Sequence, residues 1–169
     1  PEEMVVTVTH GGYVKRSPQA QYKAQKRGGR GITGASTHEE DFVAQLFVAS
    51  THDTMLMFTN KGRCYSKKIY EMPQASRTAK GKAFVNLLPL QEGERVVALQ
   101  PVREFSEGAF VVMATKNGVI KKTSLGAFSA IRASGIIGLT IDEDDQLIAV
   151  RITEGVSDLL LGTRDGWAV

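Results

Sequence analysis

The chain is expected to be all-β and radial: a propeller-like stack of four-stranded blades that is incomplete within its 169 residues. Three observations carry this. A motif of apolar run, turn ending in glycine and second run occurs four times. A further apolar run closes each complete unit. No stretch keeps a helical hydrophobic period beyond a turn or two.

The four hairpin motifs are "VVTVTHGGYVKR" (5–16), "MLMFTNKGRCYSK" (55–67), "FVVMATKNGVIKK" (110–122) and "LLLGTRDGWAV" (159–169). Their turn glycines, Gly12, Gly62, Gly118 and Gly166, stand 50, 56 and 48 residues apart. Asn117-Gly118 and Asp165-Gly166 read as two-residue hairpin turns, because such turns demand positive φ. A second glycine follows each of the first three, Gly31, Gly81 and Gly135, at 19, 19 and 17 residues. The closing runs are "FVAQLFVA" (42–49), "RVVALQPV" (95–102) and "QLIAVRIT" (146–153), the last two led by "QEGE" (91–94) and "DEDD" (142–145). About four short strands in about 50 residues is the size of a propeller blade. The blades divide as 1–53, 54–108 and 109–156, with 157–169 opening a fourth, all in one domain.

The charges follow the repeat. Windows 15–31, 61–82 and 116–132 hold 17 of the 21 Lys and Arg residues and a single acid, Glu71. The remaining sequence holds four basic and 17 acidic residues. Ordinary soluble surfaces intersperse the two signs. A segment of one sign recurring once per blade draws a basic band, which suits a long polyanion such as duplex nucleic acid. Few aromatics interrupt the windows, which argues against stacking of single-stranded bases. The band reads as a binder of phosphate backbone with little base readout.

Within the first window lies "QKRGGRG" (25–31). Gly28 and Gly29 bare the backbone where amides can face a phosphate, and Lys26, Arg27 and Arg30 flank them with charge. Taken alone, the more ordinary reading is an exposed charged loop. The heptad nevertheless closely resembles the Gln-Arg-Arg-Gly-Gly-Lys-Gly box that marks the C-terminal domain of the DNA gyrase A protein. Lys26 and Arg30 exchange Arg for Lys and Lys for Arg at unchanged charge. "THGGYVKRSPQAQYKAQ" resembles the lead-in to that box. "YEMPQASRTAKGKAFVNLLPLQEGE" (70–94) and "GVIKKTSLGAFSAIRASGIIGLTIDEDDQLIAV" resemble the blades that follow.

The resemblance implies a β-pinwheel whose neighbouring blades exchange strands. It implies that duplex DNA wraps around a basic rim without sequence specificity. In the gyrase holoenzyme, an ATP-hydrolysing type II topoisomerase, wrapping lets the cycle introduce negative supercoils. The box residues Gln25, Lys26, Arg27, Gly28, Gly29, Arg30 and Gly31 are the expected DNA anchor. Repeat phase adds Lys15, Arg16, Lys23, Arg63, Lys67, Lys68, Arg77, Lys80, Lys82, Lys121, Lys122 and Arg132 as rim contacts; Lys67 and Lys68 sit about two residues late. Implied partners are duplex DNA, the remainder of the gyrase A protein and the gyrase B protein. Implied surroundings are the bacterial cytoplasm and nucleoid.

Other chemistry is not expected. Nucleotide cofactors are not, since no Walker sequence occurs. Nor are metals: His10, His38 and His52 stand apart, and "DEDD" lacks a calcium loop's alternating ligands and reads as a solvated turn. Cys64 has neither a partner His nor a helix N-terminus, which argues against a reactive thiol, and one cysteine precludes an internal disulfide. Ser17, Ser76 and Ser134 lack a nucleophile elbow. The family's catalytic tyrosine and metal-binding acids belong to other domains, so this stretch is expected to catalyse nothing itself. No apolar run approaches the roughly 18 residues of a membrane span, and no secretory signal pattern opens the sequence. The chain reads as part of a longer protein, with edge-to-edge pairing of two copies a further expectation. The rival readings are a propeller-type protein-interaction scaffold and the equivalent domain of topoisomerase IV.

Overall fold

The computed structural model describes residues 1–24, 43–76 and 78–154. Eleven strands are described: β1 (Glu3–Thr9), β2 (Tyr13–Pro18), β3 (Val43–Ser50), β4 (Thr54–Thr59), β5 (Arg63–Lys68), β6 (Lys82–Ala83), β7 (Val96–Val102), β8 (Phe110–Thr115), β9 (Ile120–Ser124), β10 (Ile136–Ile137) and β11 (Leu147–Thr153). One short helix, α1 (Gln19–Ala24), follows β2. The heptad, Arg77 and the fourth motif at 159–169 lie outside the described residues.

The strands form three sheets, ordered β3-β1-β2-β6, β10-β5-β4-β7 and β11-β8-β9. All named pairings are antiparallel. Each repeat thus supplies three strands to its own sheet. The fourth strand of the first two sheets is borrowed from the next repeat: β6 pairs with β2, and β10 with β5. Sheets and sequence repeats therefore do not coincide.

The second glycine of the second and third repeats is explained by this exchange. Gly81 has φ +86, and a Cβ there would lie 2.4 Å from the Val14 carbonyl oxygen. Gly135, at φ +79, would put one 2.8 Å from the Tyr65 ring. Only glycine combines that φ with so close an approach.

The hairpin turns are longer than the Asn-Gly dipeptide suggested. Between the last register pairs, Ala114 with Ile120, lie five residues rather than two. The same holds between Val8 and Val14 and between Phe58 and Cys64. A threonine decides this. In each hairpin the glycine N–H donates to the main-chain oxygen of Thr9, Thr59 or Thr115, at 3.0 Å. The threonine Oγ1 accepts the N–H of Tyr13, Arg63 or Val119, at 3.2, 3.3 and 3.0 Å. The turn is a threonine-locked loop with glycine at its fourth position.

Two apolar layers lie between the sheets. One gathers Met4, Val6 and Val8 of β1 with Met55, Met57, Tyr65, Phe84 and Leu99. The other gathers Leu56, Phe58, Cys64, Val111, Met113, Phe128 and Val150, with Phe58 and Phe128 edge to face at 5.7 Å. All six residues of β4 are buried, Met55 and Met57 in one layer and Leu56 and Phe58 in the other. That is why its centre, "MLMF", is an unbroken apolar run instead of an alternating one. Full burial of each such side chain stabilises by about 1.5–3 kcal/mol relative to exposure.

Candidate nucleic-acid interface

Neighbouring sheets meet through β7 and β11, where Gln100 Nε2 donates to the Val150 oxygen at 3.0 Å. Both are terminal strands, β7 at the end of its sheet opposite the borrowed β10; the edge where the sheets meet is termed inner and the opposite edge outer. The basic windows run through β2, β5, β9 and the segments leading into β6 and β10. Exchange thereby brings residues of β2 beside a segment about sixty positions later.

Seven predicted rim residues are described with side chains open to solvent. Lys68, Lys82, Lys121, Lys122 and Arg132 are exposed, and Lys67 and Lys80 are half-buried. Lys67 pairs with Glu71 at 3.8 Å. Lys80 Nζ lies 4.0 Å from the centre of the Tyr13 ring, and Lys122 Nζ 4.2 Å from that of Phe110, cation–π geometry that leaves the charge in place. Lys23 lies on α1.

Three other predicted contacts are clamps between repeats instead. Lys15 is buried, and its Nζ donates to the Ser76 and Ala79 oxygens at 2.9 and 2.8 Å. Arg16 donates from Nε to the Met72 oxygen at 2.9 Å and from a terminal nitrogen to the Tyr70 oxygen at 3.2 Å. Arg63 donates to the Ser134 oxygen and to the Tyr65 hydroxyl, the latter at 3.3 Å. Residue type and repeat phase cannot show whether a cation ends on a carbonyl or in water. The backbone of the next repeat, brought in by exchange, takes these three.

Register confirms the offset seen in sequence. Val14, Cys64 and Ile120 are equivalent, since they pair with Val8, Phe58 and Ala114. Lys15-Arg16 therefore matches Lys121-Lys122 and, in the second blade, Tyr65-Ser66. Ser17 Oγ donates to the Ala75 oxygen at 2.8 Å, whereas the equivalent Thr123 Oγ1 is buried without a partner among the described residues.

Three carboxylates, Asp53, Glu94 and Asp145, are buried without the sequence reading having pointed to them, and the last two stand at equivalent places. Asp145, assigned there to a solvated turn, is 7% exposed, and its Oδ1 accepts the N–H groups of Asn117 and Gln146 at 2.9 and 2.8 Å. Burial raises its pKa, but hydrogen bonds from the Thr115 hydroxyl and those two amides, with the Lys116 charge, outweigh it and hold the carboxyl below its ordinary value. Glu94 stands at the equivalent place, accepting from Thr59 Oγ1 at 2.7 Å, Tyr65 Oη at 3.0 Å and the Gln91 N–H at 2.9 Å. Desolvation, reinforced by Glu94 against the opposing Arg63, raises the Tyr65 pKa. The Cys64 thiol is buried and pushed up to about 12 by desolvation, so it is protonated and inert at neutral pH. Glu94 and Asp145 each lie two residues before the third strand of a repeat, and that shared spacing was the signal available in the sequence.

A stack of strand-exchanging blades with cations on the outer edge defines a propeller-like module with a basic edge. A family model described as DNA gyrase C-terminal domain, beta-propeller, matches residues 3–50, 53–103 and 109–154. The chain belongs to that family. It is 48% identical over 168 residues to the DNA gyrase A protein of Clostridium acetobutylicum, covering 99% of this chain and 20% of the relative. It is 46% identical over 168 residues to that of Escherichia coli K12, covering 99% and 19%. The chain thus spans about a fifth of the length of these relatives. Among solved structures, the C-terminal domain of DNA topoisomerase IV aligns with a TM-score of 0.83 at 31% identity, over 99% of this chain and 51% of that one. A DNA gyrase A C-terminal domain aligns at 0.67 over 90% and 48%, and at 24% identity shows the shared fold.

Proposed function

We propose that this chain binds duplex DNA along its outer edge, without sequence preference, and wraps it. One observation carries the reading. The solvent-facing cations Lys68, Lys80, Lys82, Lys121, Lys122 and Arg132 belong to strands and lead-in segments on the outer side of the sheets. Phosphates neutralised there release counterions, so affinity should fall with salt at a slope of about −0.9 per contact. Bending a few tens of base pairs costs of order 1–6 kcal/mol or more, which several such contacts offset. The heptad at 25–31, by its two bare glycines and three cations, is the proposed anchor of the bent duplex.

Within a whole gyrase, wrapping would serve ATP-driven negative supercoiling, with the gyrase B protein and the rest of the gyrase A protein as partners. This stretch would supply no catalytic group. Cytoplasmic, nucleoid-associated work follows from the same reading. The heptad and the gyrase relatives favour gyrase over topoisomerase IV.

The test is duplex binding across a salt series, for the chain and for Lys26, Arg27 and Arg30 changed together to Ala, with circular dichroism on both. The expected result is steep salt dependence, little sequence preference and clear weakening in the variant. A folded chain that ignores duplex DNA at low salt would overturn the proposal in favour of a protein-binding scaffold.

A further inference from the structure

Lys15 is a cation carried into the interior on β2, where the residue is 5% exposed. A buried ammonium is costly unless its donors are met. Here main-chain oxygens meet two of them, Ser76 at 2.9 Å and Ala79 at 2.8 Å, and both belong to the next repeat. Those oxygens lie just ahead of Lys80, Gly81 and Lys82 in the sequence. The chain beyond them is held as well: Gly81 packs against Val14, and β6 pairs with β2. Lys82 emerges exposed and Lys80 half-exposed.

The next junction supplies a natural comparison. Tyr65 occupies the register of Lys15, and its ring, not an ammonium, underlies the incoming segment at Gly135. Counting from the exchange glycine, the positions of Lys80 and Lys82 are there taken by Ser134 and Ile136. The buried lysine accompanies the loop that presents two cations; the tyrosine accompanies the loop that presents none at those positions.

We infer that Lys15 is a positioning residue of the DNA-binding edge: it holds Ser76 and Ala79 by their carbonyls, fixes the outward register of Lys80 and Lys82, and touches no phosphate itself. This rests on the duplex-binding reading above. A lysine acting through the loop and one acting on DNA directly differ in how their effects combine with loss of the loop's own charges.

The experiment is a cycle on this chain: Lys15→Met, the pair Lys80→Gln with Lys82→Gln, and all three together. Duplex affinity is measured across a salt series, and amide exchange is followed at 76–82. The expected result is that Lys15→Met and the pair each weaken binding by roughly tenfold and flatten the salt slope by roughly 1.8, two contacts' worth. The triple variant should be no weaker than the pair, and amides at 76–82 should exchange faster in Lys15→Met. Multiplying effects, or a slope change of about 0.9 with unchanged exchange, would mean a direct phosphate contact and overturn the inference. So would unchanged affinity despite a loosened loop. Failure of the unsubstituted chain to bind duplex would sink the duplex-binding reading itself, a separate outcome. If Lys15→Met does not fold, Ser17→Ala, which removes the bond to the Ala75 oxygen, takes its place in the cycle under the same criterion of non-additivity.

Discussion

Asp145 and Glu94 each tie a hairpin to the turn that precedes the third strand of the same repeat. The folded-state pKa of Asp145 lies below its ordinary value of 3.8, so its stabilising contribution is whole above that value. The contribution is lost as pH falls through the lower, folded value. Urea midpoints measured from about pH 6 to about pH 2 should fall with acid, and Asp145→Asn should lower the neutral midpoint and flatten that fall. An unchanged acid profile would show that the carboxylate carries no net stability. The run "DEDD" by itself does not show which acid turns inward; only its alignment with "QEGE" ahead of the equivalent strand marks the last position. The glycines were more legible. Positive φ was readable at the turns, yet the close approaches at Gly81 and Gly135 depend on a neighbouring repeat that no local pattern shows. Gly93, at φ +74, has open space where a Cβ would be, whereas Gly81 has the Val14 oxygen at 2.4 Å. Gly93→Ala should therefore cost about 1–2 kcal/mol, the left-handed strain alone. Gly81→Ala should cost distinctly more, and equal losses in chemical denaturation would contradict the packing argument.

At the scale of elements, the hairpins, the closing strands and the absence of long helices could all be read from apolar runs and turn residues. What could not be read locally is that the fourth strand of a blade comes from the following repeat. Strands β6 and β10 are two residues long and have no periodicity of their own; only pairing with β2 and β5 makes them strands. Central strands are sandwiched as a consequence. Leu56 and Met57 are adjacent in β4 but face opposite layers, and both are fully buried. Leu56→Ala and Met57→Ala should each destabilise by about 2–5 kcal/mol despite belonging to different layers. A small effect at either position would mean that its inter-sheet layer does not bear on stability. Cys64 reports on the same layer as Leu56. With a thiol pKa of about 12, it should resist alkylation at neutral pH in the folded chain and react once β4 and β5 separate in denaturant.

The arrangement of the whole molecule turns a local bias in charge into a surface. The second and third basic windows reach the outer side because those repeats hand a segment to the preceding sheet, while β7 and β11 meet on the inner side. The sequence showed the segregation of charge but not that Lys15, Arg16 and Arg63 are spent on the exchange itself. That leaves a sparser outer set than repeat phase alone suggests. A duplex following such an edge must bend around the inner contacts, and bending out of plane leaves a signature that straight binding does not. Closed circular DNA relaxed by a nicking-closing enzyme in the presence of the chain, then stripped of protein, should keep a shifted linking number that grows with the ratio of chain to DNA. The shift should vanish at high salt, where phosphate contacts are lost, and shrink when Lys82 and Arg132 are changed to Gln. Binding without any shift would mean that the outer edge holds DNA but does not curve it. The bend would then have to arise elsewhere in the longer proteins that this chain resembles over a fifth of their length.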